Sequence, residues 1–202
     1  MKQKHQQDIP NKRQQILDAA YVIFSRKGYH RATVDEIIAL ADTGKGTVYN
    51  YFVNKEQLFY TLIQEKSMPF EIDLQRLVKS EVEPLQKVEA LIRLFLEFYG
   101  QNGDLWRVMM HEVRGFDVEG YSDFTVEERN KYQAWFHQSI GMIEEVLQEG
   151  RDKNVLRPCD MHRAAYGLFS AIVSIVFGGM VDSIEESAKT IADVFLHGVA
   201  KK

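Results

Sequence analysis

The chain has 202 residues, which is enough for one large domain or two small ones with a sizeable core. Hydrophobic residues make up 45% and charged residues 27%, a balance typical of a folded protein and not of a disordered one. The single cysteine, Cys159, excludes an intrachain disulfide framework. The polar N-terminus lacks the apolar segment of a signal peptide, so we expect a cytoplasmic location.

The net charge of −4 is unevenly distributed along the chain. Residues 1–55 hold nine Lys and Arg against five Asp and Glu, whereas residues 56–202 hold 16 against 24. The first part is therefore basic and the second acidic, which is compatible with a first domain that meets a polyanion such as DNA. A modest asymmetry of this kind is common, so it supports the interpretation without establishing it.

Apolar residues recur at helical spacing along almost the whole chain, and no clear run alternates apolar and polar residues. We therefore predict an all-α fold. The first helix is expected to follow Pro10, with Asn11 as its N-cap, and to stop at Gly28. The boundary between an N-terminal domain, residues 1–55, and a larger helical domain, residues 56–202, is expected near residue 55.

Two short helices are predicted next, joined by a tight turn over residues 42–44. Thr33 and Glu36 have the spacing of a capping box that opens the first of them, whose core face is expected to hold Ile37, Leu40 and Ala41. Val48 and Phe52, four residues apart, are expected to anchor the second. Two short helices around a tight turn form the layout of a helix-turn-helix, whose second helix enters the major groove of DNA.

Longer helices are predicted for the rest of the chain. Asn54 opens the fourth helix, which Met68-Pro69 is expected to kink or interrupt. Pro84 opens a fifth, expected to break over residues 100–103 before a short helix over residues 105–113. A loop over residues 115–124 and three further helices follow, at residues 125–151, 161–181 and 183–199.

The uncharged run at residues 164–181 is close in length to a membrane span. Glycines and serines interrupt it, and the remainder of the chain has the pattern of a soluble protein. We therefore expect no membrane partner, and a helix that is buried in a core or at a subunit interface.

The third helix presents chemistry that suits DNA on the side away from Val48 and Phe52. Lysines at its two ends can neutralise phosphates, hydroxyl groups can donate to phosphate oxygens, and an asparagine can pair with adenine. A glycine near its start allows close approach of the backbone. The candidate residues are Thr33, Lys45, Gly46, Thr47, Tyr49, Asn50, Tyr51 and Lys55. The alternative is a solvated helix of an ordinary bundle, which the same polar pattern also allows.

The stretch 33–58, TVDEIIALADTGKGTVYNYFVNKEQL, closely resembles the helix-turn-helix of the tetracycline-repressor (TetR) family. Its matching positions are Thr33, Ile37, Ala41, Gly46, Tyr49, Tyr51, Phe52, Lys55, Glu56 and Leu58. Upstream, Ile16, Ala19, Ala20, Phe24, Gly28 and Tyr29 are similar to that family's first helix. The motif is long and specific, and the resemblance implies a DNA-binding transcription regulator, most simply a repressor.

The turn departs from the family pattern, because Asp42-Thr43-Gly44 stands where Gly-Val-Ser is common. Asp42 tolerates a left-handed backbone, though less readily than glycine. Gly44 removes a serine that would cap the recognition helix and touch phosphate. We expect Thr43 to take over that role, and it joins the candidate DNA-binding residues.

The resemblance further implies a homodimer that binds a palindromic operator. The dimer would dissociate from the operator when a small, largely apolar molecule binds the C-terminal domain. The dimer interface would use residues 161–181 and 183–199. Small residues would permit the close approach of helices there: Ala165, Gly167, Ala171, Ser174, Gly178 and Gly179. The alternative for this segment is a core helix within one chain.

The body is rich in aromatic and methionine side chains that can line an apolar pocket or form an ordinary core. The candidate effector-binding residues are Phe98, Trp106, Met109, Met110, Tyr132, Trp135, Phe136 and Phe169. The six histidines show no zinc spacing, and no nucleophile elbow, P-loop or dinucleotide fingerprint occurs. We therefore expect no metal, no cofactor and no catalytic residue. A helical enzyme or carrier with a purely structural N-terminal bundle is the competing hypothesis.

Overall fold

Eight α-helices form in the part of the chain that this computed structural model describes, residues 11–114 and 126–199, and those residues contain no strand. The prediction of an all-α fold is thus confirmed. The helices are α1 Lys12–Arg31, α2 Val34–Leu40, α3 Lys45–Tyr51, α4 Lys55–Val78, α5 Pro84–Arg114, α6 Val126–Asp152, α7 Met161–Phe177 and α8 Ile184–His197. The loop predicted over residues 115–124 lies outside the described residues.

The predicted starts of the first, second and fourth helices are confirmed by their capping hydrogen bonds. Asn11 caps α1. At α2 the Thr33 hydroxyl oxygen accepts from the amide of Glu36 at 3.3 Å, and the Glu36 carboxylate accepts from the amide of Thr33 at 3.1 Å. The side chain of Asn54 accepts from an amide of the first turn of α4. Each cap satisfies an amide that would otherwise have no acceptor within its helix.

Two predicted interruptions are weaker than expected. The helix α4 runs through Pro69 without a break, and the next residue, Phe70, stacks on Phe98 of α5 at a ring-centroid distance of 4.4 Å. The helix α5 has one residue outside helical geometry, Asn102, with φ −122° and ψ 15°. Its side-chain amide donates to the carbonyl oxygen of Phe98 at 3.1 Å, and the helix resumes beyond it.

The last two helices end earlier than the apolar pattern predicted. Gly178 is the C-cap of α7, and Gly179 has φ 67°, in the left-handed region that ends a helix. Gly198, with φ 74°, ends α8 in the same way. The uncharged run therefore continues past the helix that it forms. No helix among residues 11–114 and 126–199 is both long and apolar enough to cross a membrane.

Three buried aromatic rings join α1 to α4. Phe59 of α4 lies 4.9 Å from Phe24 and 5.0 Å from Tyr29 of α1, measured between ring centroids. All three side chains are fully buried. Gly28, with φ 77°, breaks α1 just before Tyr29, as predicted, and lets the chain turn that ring inward.

The helix α5 lies at the centre of the body, where it contacts α1, α4, α6, α7 and α8. Near its start the Lys87 side chain is buried, and its Nζ donates to the carbonyl oxygen of Val78 at 2.9 Å and to the carboxylate of Glu149 at 2.7 Å. This ammonium therefore ties the end of α4 to the last turns of α6.

We expect Glu149→Gln to lower the free energy of unfolding at neutral pH by about 1–2 kcal/mol, because the buried Lys87 ammonium loses its counter-charge. Hydrogen bonds from Lys87 and then Lys153 hold the pKa of Glu149 below its ordinary value of 4.5. The stabilisation is therefore complete above that value and is lost as the pH falls through the lowered pKa. Urea unfolding at neutral and at acidic pH measures the difference, which should shrink in acid. The exposed Glu145→Gln on the same helix is the control and should change little at either pH.

Two glycines of α6, Gly150 and Gly141, differ in the space that is available to a side chain. A Cβ added at the buried Gly150 would lie 2.7 Å from Cδ1 of Leu156 and 3.4 Å from Cβ of Pro84. Gly150→Ala should therefore destabilise the fold by about 1–3 kcal/mol. The exposed Gly141 has open space at the corresponding position, so Gly141→Ala should stabilise it by about 0.5–1 kcal/mol. Thermal unfolding of both variants measures the contrast, and an equal shift in the two would contradict the packing described for Gly150.

Candidate DNA-binding surface and effector cleft

The turn between α2 and α3 adopts the left-handed geometry that its sequence allowed. Asp42 has φ 46°, and its carbonyl oxygen accepts from Nζ of Lys12 at 3.3 Å. The amide of Thr43 donates to the carbonyl oxygen of Ile38 at 3.3 Å. These bonds fix the direction in which α3 leaves the turn.

The N-cap of α3 is Gly44, with φ −86° and ψ 151°, and no side chain caps the helix. The prediction that Thr43 replaces the missing serine as a cap is therefore wrong, because Thr43 lies one residue too early. The carbonyl oxygen of Gly44 accepts from the amides of Thr47 and Val48 at 3.0 and 3.3 Å. The beginning of α3 is thus held by its backbone alone, and the half-buried Thr43 side chain supplies no cap.

The helix α3 is anchored as predicted, because Val48 and Phe52 are only 1% and 3% exposed. The other side leaves most of the predicted DNA-binding residues in solvent: Thr33 at the start of α2 and Lys45, Gly46, Tyr49, Asn50 and Tyr51 of α3 are exposed, and Thr47 is half-buried. Leu40, predicted as core, is 51% exposed at the last position of α2. The surface is thus polar and aromatic, with one exposed leucine beside it.

Lys45 forms a weak contact that a phosphate can replace. Its Nζ lies 3.2 Å from the carboxylate of Asp35 and 6.0 Å from the ring centroid of Tyr49. Both partners of the ion pair are largely exposed, and exposed pairs contribute little to stability. The lysine is therefore available to a stronger anion such as the DNA backbone.

Lys55, the first residue of α4, forms contacts within the chain. Its Nζ donates to the carbonyl oxygens of Tyr29 and Ala32 at 3.1 and 3.4 Å, and it lies 4.4 Å from the ring centroid of Tyr29. The side chain is half-buried. A cation beside the C-terminal carbonyls of a helix is favourable, so this lysine satisfies the end of α1 within the chain.

Sequence reasoning missed the part played by Arg13 of α1. Its guanidinium carbon lies 5.8 Å from the ring centroid of Phe52, at the end of α3, and the guanidinium forms an ion pair with Glu65 of α4. In the sequence, Arg13 contributes only to the basic count of the first 55 residues. Its pairing depends on the arrangement of three helices, which no local pattern records.

The predicted effector residues belong mainly to an aromatic core. Trp106 stacks on Trp135 at 4.7 Å between ring centroids and lies 5.0 Å from Phe98, while Phe136 lies 5.1 Å from Phe169. Five of the eight are at least nine-tenths buried: Phe98, Trp106, Met109, Tyr132 and Phe169. Trp135 and Phe136 are half-buried, and the side chain of Met110 lies outside the described residues. Packing of one ring on the next thus places most of the described members of this set within the core.

An open cleft of about 620 Å³ lies between α4 and α6 and reaches Arg13 of α1. Of the predicted residues, Tyr132 and Trp135 border it. Glu71 of α4 lies in its wall and accepts hydrogen bonds from the Ser67 hydroxyl, at 2.6 Å, and from the indole N–H of Trp135. Glu71 and Trp135 are 64 positions apart, so no local sequence pattern indicates this group.

No three His, Cys, Asp or Glu side chains are grouped as a metal site would need, within residues 11–114 and 126–199. Cys159 is an exposed free thiol at the connection between α6 and α7. His162 pairs with Glu144 at 2.8 Å on the surface. These groups form no catalytic arrangement with one another, and the described chemistry is concentrated at the α3 surface and in the cleft.

Comparison with known proteins agrees with this division. Residues 16–61 match the family of bacterial regulatory proteins, tetR family, and residues 81–199 match the tetracyclin repressor-like C-terminal domain. An uncharacterized HTH-type transcriptional regulator, YhgD, of Bacillus subtilis is 25% identical over 80% of this chain and 81% of its own length. The fatty acid metabolism regulator protein of the same organism is 26% identical over 78% of each chain.

A solved structure shows the same fold. The transcriptional regulator FadR of Bacillus subtilis, in complex with stearoyl-CoA, is similar with a TM-score of 0.74 and 21% identity, covering 93% of this chain and 99% of that one. Together the two family matches cover the helix-turn-helix and nearly the whole helical body. The chain therefore belongs to the tetR family of bacterial regulatory proteins and is a DNA-binding transcriptional regulator.

Proposed function

We propose that this regulator is a cytoplasmic repressor that binds a palindromic operator as a homodimer and releases it when a small molecule with a largely apolar body occupies its helical domain. Residues 1–55 form the DNA-binding domain in this proposal, and residues 56–202 bind the effector and the second subunit. The protein has no catalytic step of its own and acts through its affinity for double-stranded DNA.

The observation that carries the proposal is the division of α3 into a buried and an exposed side. Val48 and Phe52 hold the helix to the core, so its remaining side chains need not contribute to folding. Lys45 and the hydroxyls of Tyr49 and Tyr51 supply phosphate contacts, and exposed Asn50 supplies a base contact. The competing helical enzyme would give these exposed groups no role.

A homodimer through α7 and α8 is supported by the outward side of α7. Beyond the first turn of the helix, which carries the exposed His162 and Arg163, its exposed positions are small and uncharged: Gly167, Ser170, Ala171, Ser174 and, at the C-cap, Gly178. Val194 of α8 is 46% exposed as well. Small side chains let two helices approach closely, and an exposed valine gains from being covered. Ala165, which we had included among the interface residues, is fully buried against its own chain and belongs to the core.

The cleft between α4 and α6 is the effector site that we favour. Arg13 lies in its wall and also contacts Phe52 at the end of the recognition helix. An occupant that displaces Glu65 or Arg13 therefore alters a contact that holds α3. The relatives support an effector with an apolar body, because one is a fatty acid metabolism regulator and a protein of the same fold binds stearoyl-CoA.

DNA binding is tested with the purified protein and its own promoter region against random duplex, at ~0.15 M salt, where non-specific contacts are weakened. We expect a clear preference for the promoter. Lys45→Ala should weaken binding to all sequences and reduce the salt slope by about one, while Asn50→Ala should cost about 1–3 kcal/mol at particular base pairs only. Lys79→Ala removes an exposed lysine at the end of α4, outside α3 and outside the proposed dimer interface, and is the control for the loss of one positive charge. Equal affinity for promoter and random DNA would falsify the proposal.

The interface is tested by Gly167→Glu, which places a charge on the outward side of α7. This glycine has open space for a Cβ, so the single chain should fold normally while the dimer is lost. Gly141→Glu, at an equally open and exposed helical glycine of α6, is the matched control and should stay dimeric. Sedimentation measures both. A Gly167→Glu protein that remains a dimer would place the interface elsewhere.

A further inference from the structure

The ion pairs in the wall of the cleft between α4 and α6 leave one carboxylate of the wall without a basic partner among the described residues. Four charged side chains line it, Arg13, Glu65, Glu71 and Lys131. Arg13 forms an ion pair with Glu65, and Nζ of Lys131 lies 3.0 Å from the carboxylate of Glu127. Both basic groups are thus engaged by carboxylates, and among the described residues Glu71 is left without a basic partner.

The carboxylate of Glu71 is held in place by neutral donors. The buried Ser67 hydroxyl and the Trp135 indole both donate to its Oε1 atom. Its Oε2 atom accepts no hydrogen bond from the described residues. Neutral donors orient a carboxylate without cancelling its charge, so Glu71 presents a fixed negative group and an unused acceptor at the wall of the cleft.

Aromatic and apolar side chains surround this charge. Tyr60, Tyr132 and Trp135 line the cleft, with Met68 beside them. The rings of Tyr60 and Tyr132 lie 5.7 Å apart, edge to face. The negative faces of aromatic rings attract cations, and the indole ring does so most strongly. The ring of Tyr60 already has a cation beside it, because Nζ of Lys131 lies 6.0 Å from its centroid. The carboxylate of Glu71 and the rings of Tyr132 and Trp135 therefore favour a positively charged ligand.

We propose that this cleft binds a monovalent organic cation with an apolar body, of the quaternary ammonium or phosphonium type, with its charged centre beside Glu71 and its body against Tyr60, Tyr132 and Trp135. The proposal rests on the proposed function, since it names the effector class of that site. An anion with several phosphate groups, such as an acyl-CoA, would be repelled by Glu71. The two basic groups of the wall, Arg13 and Lys131, are already paired with carboxylates.

The test uses two ions of nearly equal size and shape and opposite charge, tetraphenylphosphonium and tetraphenylborate. Trp135 is one of only two tryptophans, and the other, Trp106, stacks on it, so the intrinsic fluorescence of the full-length protein reports on the cleft. We expect tetraphenylphosphonium to quench this fluorescence saturably and tetraphenylborate to bind at least about tenfold more weakly. Borate binding that equals or exceeds phosphonium binding overturns the proposal without any variant.

A substitution then assigns the effect to one side chain. Glu71→Gln keeps an oxygen that accepts from Ser67 and Trp135 but removes the charge, and it should weaken phosphonium binding about tenfold. Asp73→Asn, an exposed carboxylate of the same helix that pairs with Arg76, is the matched control and should bind as the unmodified protein does. Unchanged binding by Glu71→Gln, with helical content retained, overturns the assignment.

Operator release separates this inference from the function on which it rests. If the phosphonium ion binds in a Glu71-dependent way but the operator stays bound, the cleft binds organic cations as proposed. The proposal that an occupant of this cleft releases the operator is then contradicted. If stearoyl-CoA releases the operator equally from the unmodified and Glu71→Gln proteins, and phosphonium does not bind, the cation proposal fails while the regulator remains ligand-responsive.

Discussion

The packing of three buried rings, Phe24, Tyr29 and Phe59, joins the first helix of the DNA-binding part to α4. Aromatic pairs of this kind contribute about 0.5–1.5 kcal/mol each beyond the area that they bury. The Lys55 ammonium lies on the outer face of Tyr29 and satisfies the carbonyls at the end of α1. Because Phe59 belongs to the second turn of α4, any change in the direction of that helix is transmitted to α1.

The conformation of the recognition helix α3 also depends on tertiary contacts. At seven residues, α3 is too short to be stable in water alone, so its conformation is supplied by tertiary contacts at Val48 and Phe52 and by the turn at Asp42. Two buried side chains, Val48 and Phe52, hold so short a helix in place. Its other side chains therefore need not pack against the core. Exposed tyrosines, which would be unfavourable on an ordinary surface, therefore suit a surface that DNA covers.

The sequence predicted the helices well where the signals are local. Caps at Asn11, Thr33 and Asn54 fall where their side chains indicated, since a cap needs only its own first turn. Pro69 does not interrupt α4, and the stacking of Phe70 on Phe98 beside it joins residues far apart in the chain, which no local pattern records. The helix-turn-helix, whose pattern lies within a few turns, is the part that sequence reasoning described best.

The body was harder to interpret for a related reason. A buried aromatic residue has the same sequence pattern in a core as in a pocket, and the structure packs Trp106 and Phe169 within the core. The cleft depends on Glu71, Ser67 and Trp135, which only the crossing of α4 and α6 brings together. Charge pairing across helices, as between Arg13 and Glu65, is likewise a property of the assembled fold.

Arg13 belongs at once to the wall of the cleft and to the contact with Phe52. In the proposed mechanism this shared guanidinium couples the two binding equilibria. If the bound effector lowers the affinity for the operator by some factor, the bound operator lowers the affinity for the effector by the same factor. The concentration of effector at half-response is then not a constant of the protein. It rises with the amount of operator present, so a cell with more binding sites needs more of the small molecule to clear them.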